Sequence, residues 1–419
     1  MKTFRKGLWT GDFTRITLSS IISGIGGEAM SLPISLLVFE KTQSTLLAAL
    51  IWVCEMLPDM LLSVFAAPLI DKGNKKRWVI ALDGLLAFVY SVTGLWIATH
   101  AFQYELYVGF TLVVGTISVL YRLAYGAWYP SLIPGGYEQK GYAVSGTLYP
   151  AIIIVMAPLS TMLYTHLAMH HIFYIVAAMT LVSVLIKMGI RSDARAQHVE
   201  SYGFEQYKRD FREGFRYIQT EKGIRNIFTY MAITNGISSG INIIVQAWYQ
   251  TVSWLTVTML GLLTSAEMIG RVLGGVFCYQ KEFPVGKRFA YTKFVYFVYD
   301  LLDMLLLFMP YPMMLASRFL CGSLGSVSAT IRSAAVQSYL PDRMRARVNA
   351  FYNAMFSVGG VAFRLLAGWL GTVMPYRAVL PLFGCITLVA MVFLIVLPEK
   401  FNRPVYEAVR AQDEAQKDG

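Results

Sequence analysis

Residues 78–99 read WVIALDGLLAFVYSVTGLWIAT, an apolar run in which Asp83 is the only charged side chain. A bilayer's hydrocarbon core is about 30 Å thick, and an α-helix crosses it with about 20 apolar residues. The run is continuous rather than alternating, so it is predicted to be a helix and not a strand of a closed barrel, the other element that satisfies its own backbone in hydrocarbon. Outward from it, comparable runs fall near 14–39, 45–70, 104–129, 143–165, 170–189, 224–250, 256–279, 289–308, 311–336, 347–372 and 377–397. The chain is therefore predicted to be an all-α integral membrane protein with twelve transmembrane helices.

Composition supports the same class. The 419 residues are 56% hydrophobic and 15% charged, more apolar surface than a soluble core buries. The formal charge of +11 is spread over short segments between the runs, with no basic domain to hold nucleic acid. Cys54, Cys278, Cys321 and Cys385 lie inside apolar runs without ligand-like spacing and read as small buried hydrophobes, so no disulfide and no metal cluster are expected. Lys2, Arg5 and Lys6 precede an apolar stretch that runs on past Glu28 without a short core and cleavage site, which reads as a retained first helix.

Most connections are short; residues 190–223 form the exception and divide the chain into two sets of six spans. This gives an N-terminal bundle over 1–189, a linker over 190–223, a C-terminal bundle over 224–398 and a polar tail over 399–419. Basic residues crowd Asp71–Arg77, Lys281–Arg288 and Asp342–Arg347, with Lys140 in Glu138–Lys140, while the alternate loops hold little beyond Lys41 and Arg377. The bias toward positive cytoplasmic loops places both termini and the linker in the cytoplasm. In the linker, Phe204, Tyr207, Phe211, Phe215 and Ile218 recur at helical spacing among Lys208, Arg209, Arg212 and Arg216. This is an amphipathic helix that lies on the inner membrane surface or packs on the bundle.

The two halves repeat one another. Glu55-Met56-Leu57 and Val64-Phe65 recur 212 positions on as Glu267-Met268-Ile269 and Val276-Phe277, and Gly24-Ile25 recurs as Gly236-Ile237 at the same offset. Ser131-Leu132-Ile133-Pro134 corresponds to Ser338-Tyr339-Leu340-Pro341, 207 positions on. Parallel repeats of this kind are a common construction of transporters.

The stretch Ala67-Pro68-Leu69-Ile70-Asp71-Lys72-Gly73-Asn74-Lys75-Lys76-Arg77 resembles the Gly-x-x-x-Asp-Arg-x-Gly-Arg-Arg signature of the major facilitator superfamily, with Ala67 and Asn74 in the glycine positions. Asn74, Asp83, Pro58, the run Pro341-Asp342-Arg343-Met344-Arg345-Ala346-Arg347-Val348-Asn349-Ala350 and Arg212-Glu213-Gly214-Phe215-Arg216-Tyr217-Ile218 are similar to the branch of macrolide-efflux proteins and the enterobactin exporter. The resemblance implies two pseudo-symmetric six-helix bundles, a monomer, and a gate on the cytoplasmic side. Asp71 would be its latch, bonding helix-end amides and basic side chains while that side is closed. Lys72, Lys75, Lys76, Arg77, Asp83, Arg343, Arg345 and Arg347 complete the expected gate; the bland reading of the basic ones is topology and anionic lipid. Two departures stand out: Arg122, which with Gly126 matches an antiporter pattern, lies 12 residues before Pro134, whereas Arg318 lies 23 before Pro341, and Ala157-Pro158 lacks the paired glycines of the antiporter helix-five motif.

Enzyme motifs are lacking. The chain has no Gly-x-x-x-x-Gly-Lys-Ser/Thr loop, no His-Glu-x-x-His and no dinucleotide fingerprint in strand context, so no cofactor is expected and transport would draw on a gradient. Ionisable residues inside spans are costly and mark cavities by default. Glu28, where the efflux branch carries an Asp, and Asp59 read as proton carriers. Glu267 and Arg271, four apart, share a helix face as a static pair or a coupling site. Arg122 offers charge to a substrate or an acidic partner. Asp300, Asp303 and Arg364 are embedded without an assigned face. Tyr121, Tyr125, Trp128, Tyr149, Trp248 and Tyr249 suit a cavity or the lipid interface equally. His166, His170 and His171 lack the carboxylate or cysteine partner of a metal site. The activity expected is proton-coupled export of an amphipathic small molecule, a macrolide-like drug or a secreted metabolite, from the plasma membrane; uptake or exchange of a metabolite, and a sensor or lipid-handling protein on the same fold, are the alternatives.

Overall fold

The computed structural model of the chain describes residues 7–71, 74–191, 204–281 and 283–408, and for 63–71, 138, 139, 204–207, 210, 342, 343 and 346 the backbone alone. The described residues form helices and no strand. A helix lies over each of the twelve apolar segments, and ten of these helices are long and apolar enough to cross a membrane. The other two, residues 222–251 and 288–305, carry Asn226, Asn235, Asn242 and Gln246, and Lys293, Asp300 and Asp303. The chain divides into two compact units, one of 1–43, 50–204 and 255–261, the other of 44–49, 205–254 and 262–419.

The first unit is built from α1 (Gly11–Ser31), α2 (Pro33–Thr42), α3 (Thr45–Asp71), α4 (Lys75–Thr99), α5 (Tyr104–Leu132), α6 (Glu138–His166) and α7 (Met169–Met188). Pro33 separates α1 from α2, because proline lacks the amide that would continue the ladder and its ring crowds the preceding turn. With no water to expel between helices in lipid, close packing supplies the cohesion. Tyr90, Phe110 and Phe173 form a buried aromatic triangle with centroids 4.9–5.9 Å apart, joining α4, α5 and α7. Gly94 lets the rings of α7 approach, since a Cβ there would sit 3.0 Å from Phe173 and Tyr174. Asn74, in a position where the signature has glycine, caps α4 by accepting from the Arg77 amide at 3.1 Å.

The second unit is built from α8 (Phe204–Thr220), α9 (Lys222–Thr251), α10 (Val257–Gln280), α11 (Arg288–Leu305), α12 (Tyr311–Tyr339), α13 (Asp342–Val373), α14 (Tyr376–Met391) and α15 (Glu399–Tyr406). Small residues set its closest seams. A Cβ on Gly236 would meet the Gly359 carbonyl, and one on Gly240 the Phe363 carbonyl, so α9 and α13 touch backbone to backbone. The seam of α10 with α12 is built the same way from Gly270, Gly274 and Gly322. The amphipathic α8 packs on α13, with Phe211 and Phe215 against Phe351 at 5.2 and 5.4 Å, Ile218 buried, and Glu213 paired with Arg347. Residues 399–406, at the start of the segment read as a polar tail, form α15. Its Val405 and Tyr406 are buried, and its Asn402 donates to the Leu394 and Ile395 carbonyls at 2.7 and 3.0 Å. Those carbonyls at the end of the last span explain the helix: a polar side chain there satisfies backbone acceptors that the span leaves open.

Candidate functional site

The embedded charges fall into groups that differ in depth. In the first unit Lys187 of α7, wholly buried, donates to Asp83 of α4 at 2.5 Å and to the Tyr121 hydroxyl at 2.8 Å. Tyr121 stacks on Tyr125, whose hydroxyl meets that of Ser20 at 2.8 Å. Asp83 thus finds its cation in another span, with both charges shielded from water. Elsewhere in this unit Arg122 of α5 pairs with Asp59 of α3, and the two side chains keep 63% and 38% of their exposure. Lipid tails would not solvate a charged pair exposed within spans, so its exposure makes it a candidate for the transport pathway. Glu28 of α1 is half-buried; it accepts from Ser31 at 3.3 Å and is hydrogen-bonded by Tyr149 of α6. Among the described residues no basic side chain forms an ion pair with Glu28.

The residues expected to form a gate are anchored in several ways. Lys76 donates to the Ile190 carbonyl at 2.6 Å, and Arg15 to the Gly189 carbonyl at 2.9 Å, so two cations cover the carbonyl end of α7. Lys75 is buried and Arg77 takes part through its amide in the cap of α4. Arg345 donates to the Gln337 carbonyl at 2.8 Å, and Arg347 pairs with Glu213. Lys72 lies outside the described residues, as do the side chains of Asp71 and Arg343.

The second unit holds a longer chain of charges. Arg318 of α12 lies 3.1 Å from Asp303 of α11 and 3.7 Å from Glu267 of α10, and Glu267 in turn accepts from Arg271 at 2.8 and 3.1 Å. The glycine seam makes this reach possible: Gly322 lies against the carbonyl of Glu267 itself, and a side chain there would push α10 away from α12. Asp300, one turn before Asp303, accepts from the Tyr230 hydroxyl at 3.2 Å and is hydrogen-bonded by Thr387.

Beside these residues a cavity of about 180 Å³ is lined by α9, α10, α11, α12 and α13, an order of magnitude more room than one water needs. Arg271, Asp300 and Arg332 line it with Tyr230, Tyr296 and Tyr299. Arg332 donates to the Tyr296 hydroxyl at 3.2 Å and is hydrogen-bonded to Tyr352, and Tyr296 meets the Tyr406 hydroxyl at 2.9 Å. Sequence reasoning does not single out Lys187, Arg318 and Arg332 as functional, although each lies in a predicted span and the cost of an embedded charge applies to each alike.

The family model described as Major Facilitator Superfamily matches residues 16–299 and 301–415. No curated protein sequence matches the chain. Solved structures of transporters share its fold, among them the three that follow. The nucleoside transporter NupG is 12% identical with a TM-score of 0.68, over 92% of this chain and 98% of that one. A mutant of the peptide transporter POT is 12% identical with a TM-score of 0.66, over 94% and 95%. A bacterial homolog of the human lysosomal transporter Spinster, inward-facing and unoccupied, is 13% identical with a TM-score of 0.62, over 94% and 96%.

Proposed function

Because the chain belongs to the Major Facilitator Superfamily, we propose that it is a secondary active transporter that exports an amphipathic small molecule in exchange for protons. It works in the plasma membrane as a monomer, with both termini in the cytoplasm. The observation that carries the coupling is the run Asp303–Arg318–Glu267–Arg271, in which one arginine is shared by two carboxylates and one carboxylate by two arginines. A proton arriving on Glu267 releases both arginines to other partners, and its departure restores the run. Glu28 and Asp59 are the proton-carrying carboxylates of the first unit. Alternating access follows if protonation and substrate favour different arrangements of these pairs. The gate at Asp71, Lys72, Lys75, Lys76, Arg77, Arg343, Arg345 and Arg347 supplies bonds that break as the cytoplasmic side opens, whereas Asp83, expected among them, is held by Lys187 of α7 and acts as a fixed joint beside it. Similarity to the efflux branch supports export, with a macrolide-like drug or a secreted metabolite as cargo.

The test is accumulation of a radiolabelled macrolide and a panel of amphipathic compounds in an efflux-deficient bacterium expressing the protein, with and without a protonophore, beside Glu28→Gln, Asp59→Asn and Glu267→Gln. Lower accumulation that the protonophore abolishes is expected, and Glu267→Gln is expected to lose at least about tenfold in gradient-driven export, the size of one charge-assisted bond. Unchanged accumulation across the panel, with the protein present in the membrane, ends the export reading. Export that survives the protonophore ends the coupling.

A further inference from the structure

We infer that the cavity of the second unit is a subsite for an anionic group, a carboxylate or a phosphate, on the transported molecule, with Arg332 as the group that binds it and Arg271 beside it. This rests on the transporter reading above and narrows its cargo to an acidic metabolite in preference to a basic macrolide.

The argument starts from cost. An arginine within a span persists where something compensates it. Lys187 has Asp83, Arg318 has Asp303 and Glu267, Arg271 has Glu267, and Arg122 has Asp59. Among the described residues no carboxylate forms an ion pair with Arg332. Its partners are the neutral hydroxyls of Tyr296 and Tyr352, and Tyr296 is itself held by Tyr406. These bonds fix the plane of the guanidinium without neutralising it. A guanidinium offers five donors in a planar fork, so a fork steadied from its tyrosine side and lining an open cavity is arranged to receive two oxygens of an anion.

The rest of the lining agrees. Arg271 keeps 52% of its side-chain exposure although Glu267 holds it, so a second positive edge is accessible. Asp300 is the one carboxylate among the lining residues; it is 4% exposed and occupied by the hydroxyls of Tyr230 and Thr387. Asn235 and Ser328 add polar contacts, and Phe356 an apolar wall for the body of the molecule. A cationic amine in this space would meet two guanidiniums.

The experiment uses the purified full-length protein in detergent and four naphthalene probes whose fluorescence reports binding: 1-naphthaleneacetate, 1-naphthyl phosphate, the methyl ester of the acetate, and 1-naphthylmethylamine. The wild type is expected to bind one or both anions at least about tenfold more tightly than the ester and the amine, the discrimination that one bond to a charged group gives. Which anion wins identifies the carboxylate or the phosphate. Arg332→Gln is expected to lose that preference, Arg332→Lys to keep part of it, and Tyr296→Phe to reduce it while keeping the charge. Each variant is first checked for monodisperse elution and an unfolding midpoint near that of the wild type; should Arg332→Gln fail that check, Arg332→Lys and Tyr296→Phe decide. Equal binding of acetate and ester by the wild type, binding of none of the four, or an anion preference unchanged in the variants overturns the inference. Because no gradient is present, anion preference without proton-driven export leaves this subsite standing and removes the coupling. Export with no anion preference does the reverse.

Discussion

Two sets of charges within spans, one in each unit, are both built from carboxylates and cations and arranged to opposite effect. In the first unit, Lys187 and Asp83 keep 0% and 4% of their side-chain exposure, a closed pair of equal and opposite charges. In the second, Asp303 and Arg318 keep only 7% and 3% of their side-chain exposure while Glu267 keeps 15% and Arg271 52%, so one end is sealed and the other is wet. A closed pair has no route by which a proton or a rival ion enters, and it suits a fixed joint between helices. A run graded from dry to wet can pass a change of partner inward from its exposed end. Depth therefore separates the two roles where residue type does not, and each substitution below either widens that difference or erases it.

The largest effect is expected at the closed pair. Lys187→Ala leaves Asp83 buried without its cation, and removing one partner of a buried pair costs about 3–5 kcal/mol. The unfolding midpoint in detergent and the yield of folded protein should fall accordingly. Lys187→Met combined with Asp83→Leu should recover most of the loss, because the apolar pair needs no compensation. Arg271→Gln, at the wet end of the other run, should lower the unfolding free energy by less than about 1 kcal/mol, as exposed ion pairs do, and move the midpoint correspondingly little. Equal losses at Lys187 and Arg271 would mean that the two sets do not differ in kind.

An intermediate effect is expected at Gly322. An added methyl meets the carbonyl of Glu267, and overpacking of a close seam costs about 1–3 kcal/mol. Gly322→Ala should also spread α10 from α12 and lengthen the reach of Arg318 to Glu267, so gradient-driven export should fall more than folded yield does. A cysteine pair at exposed positions of α10 and α12, spin-labelled and measured by double electron–electron resonance, reads the spacing directly. An unchanged distance with lost export would separate the seam from the run.

The fold is readable from the sequence because hydropathy and length act locally: a continuous apolar run such as 78–99 has few ways to satisfy its backbone in a bilayer. Partnership acts across long separations and is not. Arg122 shows no sign in its own span that Asp59, 63 positions earlier, is its partner, and nothing near Asp83 points to Lys187, 104 positions on. The exception is Glu267 with Arg271, whose four-residue spacing on one helix makes their contact predictable. Arg318 shows the limit most clearly. Its spacing to Pro341 is visible in the sequence, yet its role as the centre of the run depends on Gly322 letting α10 and α12 close, a fact of packing rather than of pattern.

The smallest effect on stability is expected at Asp59 and Arg122, and it sharpens the comparison within the first unit itself. Both side chains are substantially exposed, so the pair competes with water on either side and its net contribution should be about 0.2–1 kcal/mol. A double-mutant cycle with Asp59→Asn and Arg122→Gln, read by unfolding midpoints at low and high salt, should give a coupling in that range that shrinks as salt rises. A coupling of several kcal/mol, insensitive to salt, would place the pair with Lys187 and Asp83 as a structural joint. A small, screened coupling accompanied by a large loss of proton-driven export in Asp59→Asn would place it with the graded run instead. It would then be a carboxylate held loosely enough to release its arginine and take a proton when the cycle requires it.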